Sequence, residues 1–340
     1  MNYEKQESKN MIIAEIGQAH DGSVGIAHSY IDALKNSGVD AVKFQTHIAD
    51  AESSVYEKFR IPFSYVDKTR YDYWRRMEFD FVQWAEIKSH CEENGLEFIS
   101  SPFSQQAVEL LEKIGVKRYK IASGEMHNYL MIDTIAATKK PIIMSTGMAT
   151  LDDLDEITAH VQDLNVDFSL LQCTTKYPTQ HKNWGLNMIS IMKDRYNCRV
   201  GYSDHSGEIY SALAAAACGA DIIEFHVVFH KHMFGPDAIA SIGIDDVPKL
   251  TTGIKQIKES LIVNFKKDTL EIESKNKLLF AKSLCVRSAL KAGHVIQERD
   301  LETKKPAGYG ISPRDYKLVC GKKIIRDLAR NDFINYSDII

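Results

Sequence analysis

Residues 201–237, GYSDHSGEIYSALAAAACGADIIEFHVVFHKHMFGPD, decide the fold. A short apolar run, Arg199-Val200-Gly201-Tyr202, breaks into Ser203-Asp204-His205, and a second, Asp221-Ile222-Ile223-Glu224-Phe225, ends on His226. The stretch between them, Ser211 to Gly219, is alanine-rich and helix-like, so the unit reads strand, helix, strand. Strands joined in this way are parallel neighbours, and the residues past their carboxyl ends emerge on one rim. His205 and His226 are thereby expected side by side. A lone histidine at a strand end is ordinary, but two at successive strand ends, followed by Gly235-Pro236-Asp237, point to a divalent metal with open coordination positions. His230 and His232 are equally able to bind metal on spacing alone.

Outward from this unit, the chain has 340 residues, 44% apolar and 26% charged, enough for one large domain and a small one. Its net charge of −4 and pI near 6.3 give no general attraction to nucleic acid or an anionic membrane, which leaves a small molecule as the expected partner. The six cysteines form no CxxC pair, and Cys91, Cys173 and Cys218 lie in segments that read as buried. A reducing cytoplasm is the expected compartment. The polar start, MNYEKQESKN, and the lack of any long apolar run predict a soluble, unexported protein.

The same alternation recurs from Met11 onward. Strands are expected at about 11–16, 40–45, 97–100, 117–121, 141–144, 167–172, 198–202 and 221–226, with helices such as 81–94, 106–114, 151–164, 211–218 and 246–261 between and after them. Eight such units predict an α/β fold of the TIM (β/α)8 barrel type, with an open doubly wound sheet as the alternative. A barrel places its chemistry at the strand carboxyl ends, where Glu15, Gln45, Ser101, Ser123, Thr175, Tyr177 and Ser203 fall. Lys43 in AVKFQ and Lys120 in YKIAS sit inside apolar strands and need an anionic partner. The long connection from Thr46 to Glu78, rich in aromatics and arginine, reads equally as an irregular functional flap or an oligomer contact. The barrel domain is placed at 1–262, a charged linker at 263–280 and a small mostly-β domain at 281–340. That last domain carries a weak duplication, Leu290 to Leu301 against Leu328 to Ile339.

With these segments assembled, the chain resembles the sialic acid synthase family, whose members join phosphoenolpyruvate to an N-acetylated hexosamine to make a nonulosonic acid. The matching segments are AEIG with His20 and Gly22, AVKFQ, SSPF, YKIASGE, STGM, CTTKYPT, GYSDHS, and GPD followed by Ala240-Ser241, in the family's order. The resemblance spans nearly the whole chain, and its final domain looks like the family's SAF (antifreeze-like) module. It assigns His205 and His226 to the metal, Mn²⁺ or Mg²⁺. Lys43, Ser101, Lys120, Ser123, Thr175 and Ser203 are assigned to phosphoenolpyruvate, and Glu15, Gln45, Tyr177 and Asp237 to the sugar and the attacking water. Glu15, Lys43, Lys120 and Asp237 are the expected catalytic groups, and Glu125 at its strand end is expected in a salt bridge.

The resemblance further implies a domain-swapped homodimer in which the C-terminal module closes over a neighbour's barrel. Lys305 stands where the family offers an arginine to the sugar, keeping the charge and losing the planar fork. Ala19, Phe225 and Thr175 are further departures, expected around the sugar side. Two competing readings are a 3-deoxy-keto-acid synthase acting on a phosphorylated sugar, which needs more basic residues in the pocket, and a non-catalytic sugar-binding relative.

Overall fold

The computed structural model describes residues 10–263 and 271–340. Eight parallel strands lie where the hydrophobic runs placed them, within about two residues: β1 Met11–Gly17, β2 Ala41–Thr46, β3 Glu97–Pro102, β4 Tyr119–Ile121, β5 Ile142–Ser145, β6 Phe168–Cys173, β7 Arg199–Asp204 and β8 Ile222–Val228. The hydrogen-bonded order is β3-β2-β1-β8-β7-β6-β5-β4. The first strand thus pairs with the last, Met11 opposite Ile222 and Glu15 opposite His226. An open doubly wound sheet keeps its outer strands apart; here the two ends of the order, β3 and β4, share no ladder but lie against each other, so the sheet is a nearly closed TIM-type barrel with its seam between them.

Because side chains alternate along a strand, each strand has an outward and an inward column. The outward residues, among them Ile12, Val42, Phe44, Phe98, Tyr119, Tyr202 and Phe225, form the large core against the helices. The inward columns begin apolar, with Ile13, Ala41, Ile99, Ile143, Leu171 and Ile222 packed in a layer that plugs the barrel. Two residues further along they turn polar: Glu15, Lys43, Ser101, Ser145, Cys173 and Glu224 line a cavity at the strand carboxyl ends. Gly201 belongs to the plug, where a Cβ would come within 2.2 Å of the Ile222 carbonyl and 2.6 Å of Leu171.

Helices return the chain with ordinary local chemistry. Ser23, Asp80, Ser104, Asn128 and Thr150 cap successive helices through their side chains. In Gln105–Ile114 the buried residues Ala107, Val108, Leu111 and Ile114 make one stripe, and Gly115 ends the helix in the left-handed region.

The connection from 46 to 78 is not the irregular loop its composition suggested. It holds two short helices, Ala49–Glu52 and Arg70–Met77, and a small core of Ala49, Tyr73, Trp74 and Met77 with Phe59, Phe63 and Tyr71 against it. Its aromatics are spent largely on its own packing. Arg76 pairs with Asp67 and Asp21, and a carbonyl of Arg76 abuts Gly22.

The chain divides into two compact units, Met1–Val263 and Asn264–Ile340. Of the linker expected over 263–280, residues 264–270 lie outside the described residues and Glu271–Phe280 is helical. Among the described residues the second unit pairs Ser283–Val286 antiparallel with Leu301–Lys304, adds isolated antiparallel bridges, and bears the duplication in its backbone. Gln297 with Asp300 and Asn335 with Asp338 form equivalent capping boxes, Gly293 and Asn331 share a positive φ, and Leu290 and Leu328 exchange backbone hydrogen bonds of 2.8 and 2.9 Å. Its core is small: Leu284, Val286, Leu290, Ile296, Leu301, Ile311, Val319, Ile324, Leu328 and Ile334.

All six cysteines are free, but Cys218 is exposed because it caps the end of its helix. Among the described residues, no helix is long and apolar enough to cross a membrane. Gly201→Ala forces a methyl group into the plug and is expected to cost about 1–3 kcal/mol in denaturant unfolding; an unchanged midpoint would contradict this packing.

Candidate active site

The polar ends of the inward columns enclose a cavity of about 400 Å³ in the barrel unit. Its floor is a set of four ionisable side chains, none more than 3% exposed: Glu15, Lys43, Lys120 and Glu224. Lys43 pairs with Glu15 and lies 3.6 Å from Glu224, and Lys120 lies 3.7 Å from the same Glu224 oxygen. Hydroxyls complete the floor. Lys120 donates to Ser145 at 2.6 Å and to the Ile121 carbonyl at 3.1 Å, Lys43 to Ser101 at 3.4 Å, and Ser203 to Glu224 at 3.2 Å. Burial pulls Lys43 down to about 7, against the opposing pull of Glu224. Burial acts to raise Glu224, and Lys120 and Lys43 outweigh it and hold the carboxylate below its ordinary range. Its second oxygen has no hydrogen-bond partner.

One wall carries the histidine pair. The rings of His205 and His226 stand 5.2 Å apart, centroid to centroid. His205 Nδ1 donates to the Thr174 carbonyl at 3.0 Å, and its Nε2 lies 3.1 Å from the Tyr177 hydroxyl. Burial keeps His226 neutral, well below its ordinary value. Burial also acts to lower His205, but Cys173 Sγ at 3.8 Å and the Thr174 carbonyl raise it to about 9. Among the described residues no group of three or more His, Cys, Asp or Glu converges in the manner of a closed metal site. His230 and His232 are exposed, 4.8 Å from each other, and line no part of the cavity.

The remaining expected residues divide between the two units. Gln45 donates to Glu15 at 2.7 Å, Ser123 accepts from Gly147 N–H at 3.0 Å, and Thr175, Tyr177 and Asp237 line the cavity. Gly147 is pinned there, since a Cβ would meet Thr175 at 2.5 Å. Glu125 makes no salt bridge among the described residues; it accepts from Asn128 at 2.8 Å, lines the cavity, and is raised by burial. Lys305 lies in the C-terminal unit, its ammonium 5.2 Å over the Phe280 ring. Of two expected neighbours of the sugar side, Phe225 is buried in the outer core, whereas Ala19 packs against that core and also lines a small pocket with Gln18, His226 and Asp237. His20 is likewise structural, buried against Phe79, with burial lowering it to about 3.

Several lining residues escaped the sequence reading. Glu224 carried the same signal as the lysines, an ionisable group inside an apolar strand. Arg60 carried none. From the 46–78 connection it lies 4.1 Å over the Tyr177 ring and donates to Asp237 at 2.6 Å and to the Pro236 carbonyl at 3.2 Å. His47 and Glu52 also line the cavity, 2.7 Å apart.

Residues 30–266 match the NeuB family and residues 281–340 the SAF domain. The chain belongs to the NeuB family. It is 34% identical over 338 residues to N,N'-diacetyllegionaminic acid synthase of Campylobacter jejuni, covering 96% of this chain and 99% of that one. A pseudaminic acid synthase of the same species is 32% identical over 336 residues, covering 98% and 97%. Among solved structures, N-acetylneuraminic acid synthetase from Leptospira borgpetersenii in complex with citrate superposes with a TM-score of 0.70 at 26% identity, covering 81% of this chain and 94% of that one. Relatives spanning almost the whole chain are thus named acid synthases, and this NeuB-family protein is an enzyme of that kind.

Burial pushes Glu52 up to about 9, with the Glu57 and Glu125 carboxylates adding to the rise. The folded protein therefore keeps a proton that the unfolded chain releases above its ordinary 4.5, so stability falls as pH rises from about 4.5 to about 9. Glu52→Gln mimics the protonated acid and is expected to raise stability at pH 8 by about 1 kcal/mol or more, one pKa unit being worth ~1.4 kcal/mol. Chemical unfolding that finds the variant no more stable than the wild type at pH 8 contradicts this.

Proposed function

We propose that this enzyme condenses phosphoenolpyruvate with the open-chain aldehyde of an N-acylated amino sugar, of the N-acetylmannosamine or 2,4-diacetamido type, and releases phosphate to give a nonulosonic acid. The observation that carries the reading is the convergence of Lys43 and Lys120 on one buried carboxylate, beside the hydroxyls of Ser101, Ser145 and Ser203. A ligand carrying both a carboxylate and a phosphate suits two buried ammonium groups and a ring of donors. Ser123 and Thr175 extend that ring.

The chain's own groups then divide the work. The methylene carbon of phosphoenolpyruvate attacks the aldehyde carbon, and the aldehyde oxygen takes up a proton from solvent water to become a hydroxyl, a proton that the later water addition returns. Positive charge left at the enol-ether carbon is met by water, whose proton passes to Glu15, held in place by Lys43 and the Gln45 amide. The resulting tetrahedral centre expels phosphate by carbon–oxygen cleavage, with Lys43 and Lys120 bearing its charge. Tyr177 and Asp237, clamped by Arg60, face the sugar.

His205 and His226 would hold a divalent cation, Mn²⁺ or Mg²⁺. The fit is chemical: His226 is neutral, and His205 donates through Nδ1 to Thr174, which leaves Nε2 to ligate once its proton is released. When bound, such a cation supplies Lewis-acid polarisation of the aldehyde oxygen. The homodimer, with Lys305 presented to a neighbour's acceptor sugar, belongs to the same proposal.

Incubation with phosphoenolpyruvate, Mn²⁺ and a panel of 2-acetamido and 2,4-diacetamido hexoses is expected to release phosphate with a subset of the sugars and to give a product whose mass is that of the two substrates and one water less phosphoric acid. His226→Ala is expected to lose about a hundredfold or more in turnover with the fold retained, and Lys305→Ala to raise KM for the sugar with kcat largely kept. Phosphate release that ignores the sugar, or a fully active metal-free His226→Ala protein, overturns the proposal.

A further inference from the structure

Above the charged floor the cavity has a second wall that the reaction leaves unused. His47 lies flat between Trp74 and Phe103, with centroids at 3.7 and 4.4 Å and planes within 18°. Trp74 Nε1 donates to both oxygens of Glu57 at 3.1 Å. Arg70 bonds the same carboxylate at 3.3 Å and stacks 4.0 Å over the Trp74 ring, so the cation on this wall is already engaged by both its charge and its face.

Glu52 is different. Its Oε1 is bonded to His47 Nδ1 at 2.7 Å, while its Oε2 is buried without a hydrogen-bond partner, on a side chain only 8% exposed that lines the cavity. A buried carboxyl oxygen left unpaired is costly, and on a cavity wall a ligand can complete it. The histidine that orients it also reaches the floor: His47 Nε2 lies 3.0 Å from Gln18 and 3.2 Å from Gln45, and Gln45 donates to Glu15. The free oxygen of Glu52 and the reacting groups are therefore connected by one hydrogen-bonded chain through a single cavity.

We infer that Glu52, oriented by His47, recognises the far end of the acceptor sugar and takes an uncharged hydrogen-bonding group there, a hydroxyl or an acylamino group, in place of a phosphate. The inference rests on the proposed reaction for the identity of the acceptor. A phosphate ester needs unengaged cations or clustered N–H donors. This wall offers the carboxyls of Glu52, Glu57 and Glu125 together with Arg70, already held by one of them, and the cavity's other guanidinium, Arg60, is held by Asp237. A hydroxyl or amide, by contrast, satisfies the free oxygen without bringing charge.

The test uses the full-length protein and two unreactive acceptor mimics, the alditol of a 2-acetamido-2-deoxyhexose and the same alditol esterified with phosphate at its terminal carbon, with affinities read by calorimetry. The unphosphorylated alditol is expected to bind at least about tenfold more tightly than its phosphate ester, and Glu52→Ala to lose about five- to tenfold of its affinity. Glu52→Lys is expected to reverse the order of the two ligands, and Glu52→Gln to fall between Glu52→Ala and the wild type. Equal or tighter binding of the phosphate ester overturns the assignment, as does a Glu52→Ala protein of native circular dichroism that binds both alditols as the wild type does. Phosphate release with the parent aldoses reports the reaction separately: selective binding without turnover keeps this assignment and sinks the reaction, and turnover with equal preference for both aldoses does the opposite.

Discussion

Everything at the mouth of this barrel depends on two ammonium groups and two carboxylates held together out of water. Isolated burial of any one of them is prohibitive, and each is tolerated because Glu15 and Glu224 lie against Lys43 and Lys120. The set is electrically balanced, so it needs no ligand to exist. It is also incompletely satisfied, since Glu224 keeps one oxygen unpaired and burial lowers Lys43. An anion entering the cavity finds cations whose existing partners are spread around them rather than exhausted by them. The plug of Ile13, Ala41, Ile99, Ile143, Leu171 and Ile222 beneath keeps water from the underside, so these charges interact across a poorly screening interior.

Much of this was legible from period-two alternation. Ile222, Glu224 and His226 share one inward column, as do Ala41, Lys43 and Gln45, so the change from apolar plug to polar floor is written in every second residue. That pattern yields the barrel and most of the lining. It also contains Glu224, the anion that the two buried lysines require, on the same inward column as His226. Phe225 shows the cost of reading by proximity in sequence, since the residue next to a site histidine points to the opposite side of the sheet.

What sequence could not supply came from long-range closure. The 46–78 connection has no strong periodicity, and nothing local says that Arg60 reaches Asp237 and Tyr177 or that Trp74 stacks on His47. Its aromatics form a core of their own and thereby carry polar side chains to the cavity, which is how an apparently irregular segment becomes a rigid wall. The second unit is the opposite case. Its duplication was visible in sequence and reappears as matched capping boxes and a reciprocal Leu290–Leu328 bridge, although regular strands are few.

The central claim is that the floor is a preformed anion site whose lysines trade carboxylate partners for substrate charge. Nitrogen-detected NMR of the Lys43 ammonium, titrated with and without phosphoenolpyruvate, tests it most directly. The account predicts a midpoint near 7 in the free protein, moving up by about two or more pH units when the anion is bound, the size of shift that an adjacent opposite charge produces. An ordinary lysine midpoint in the free protein, or one that phosphoenolpyruvate leaves unmoved, would contradict it.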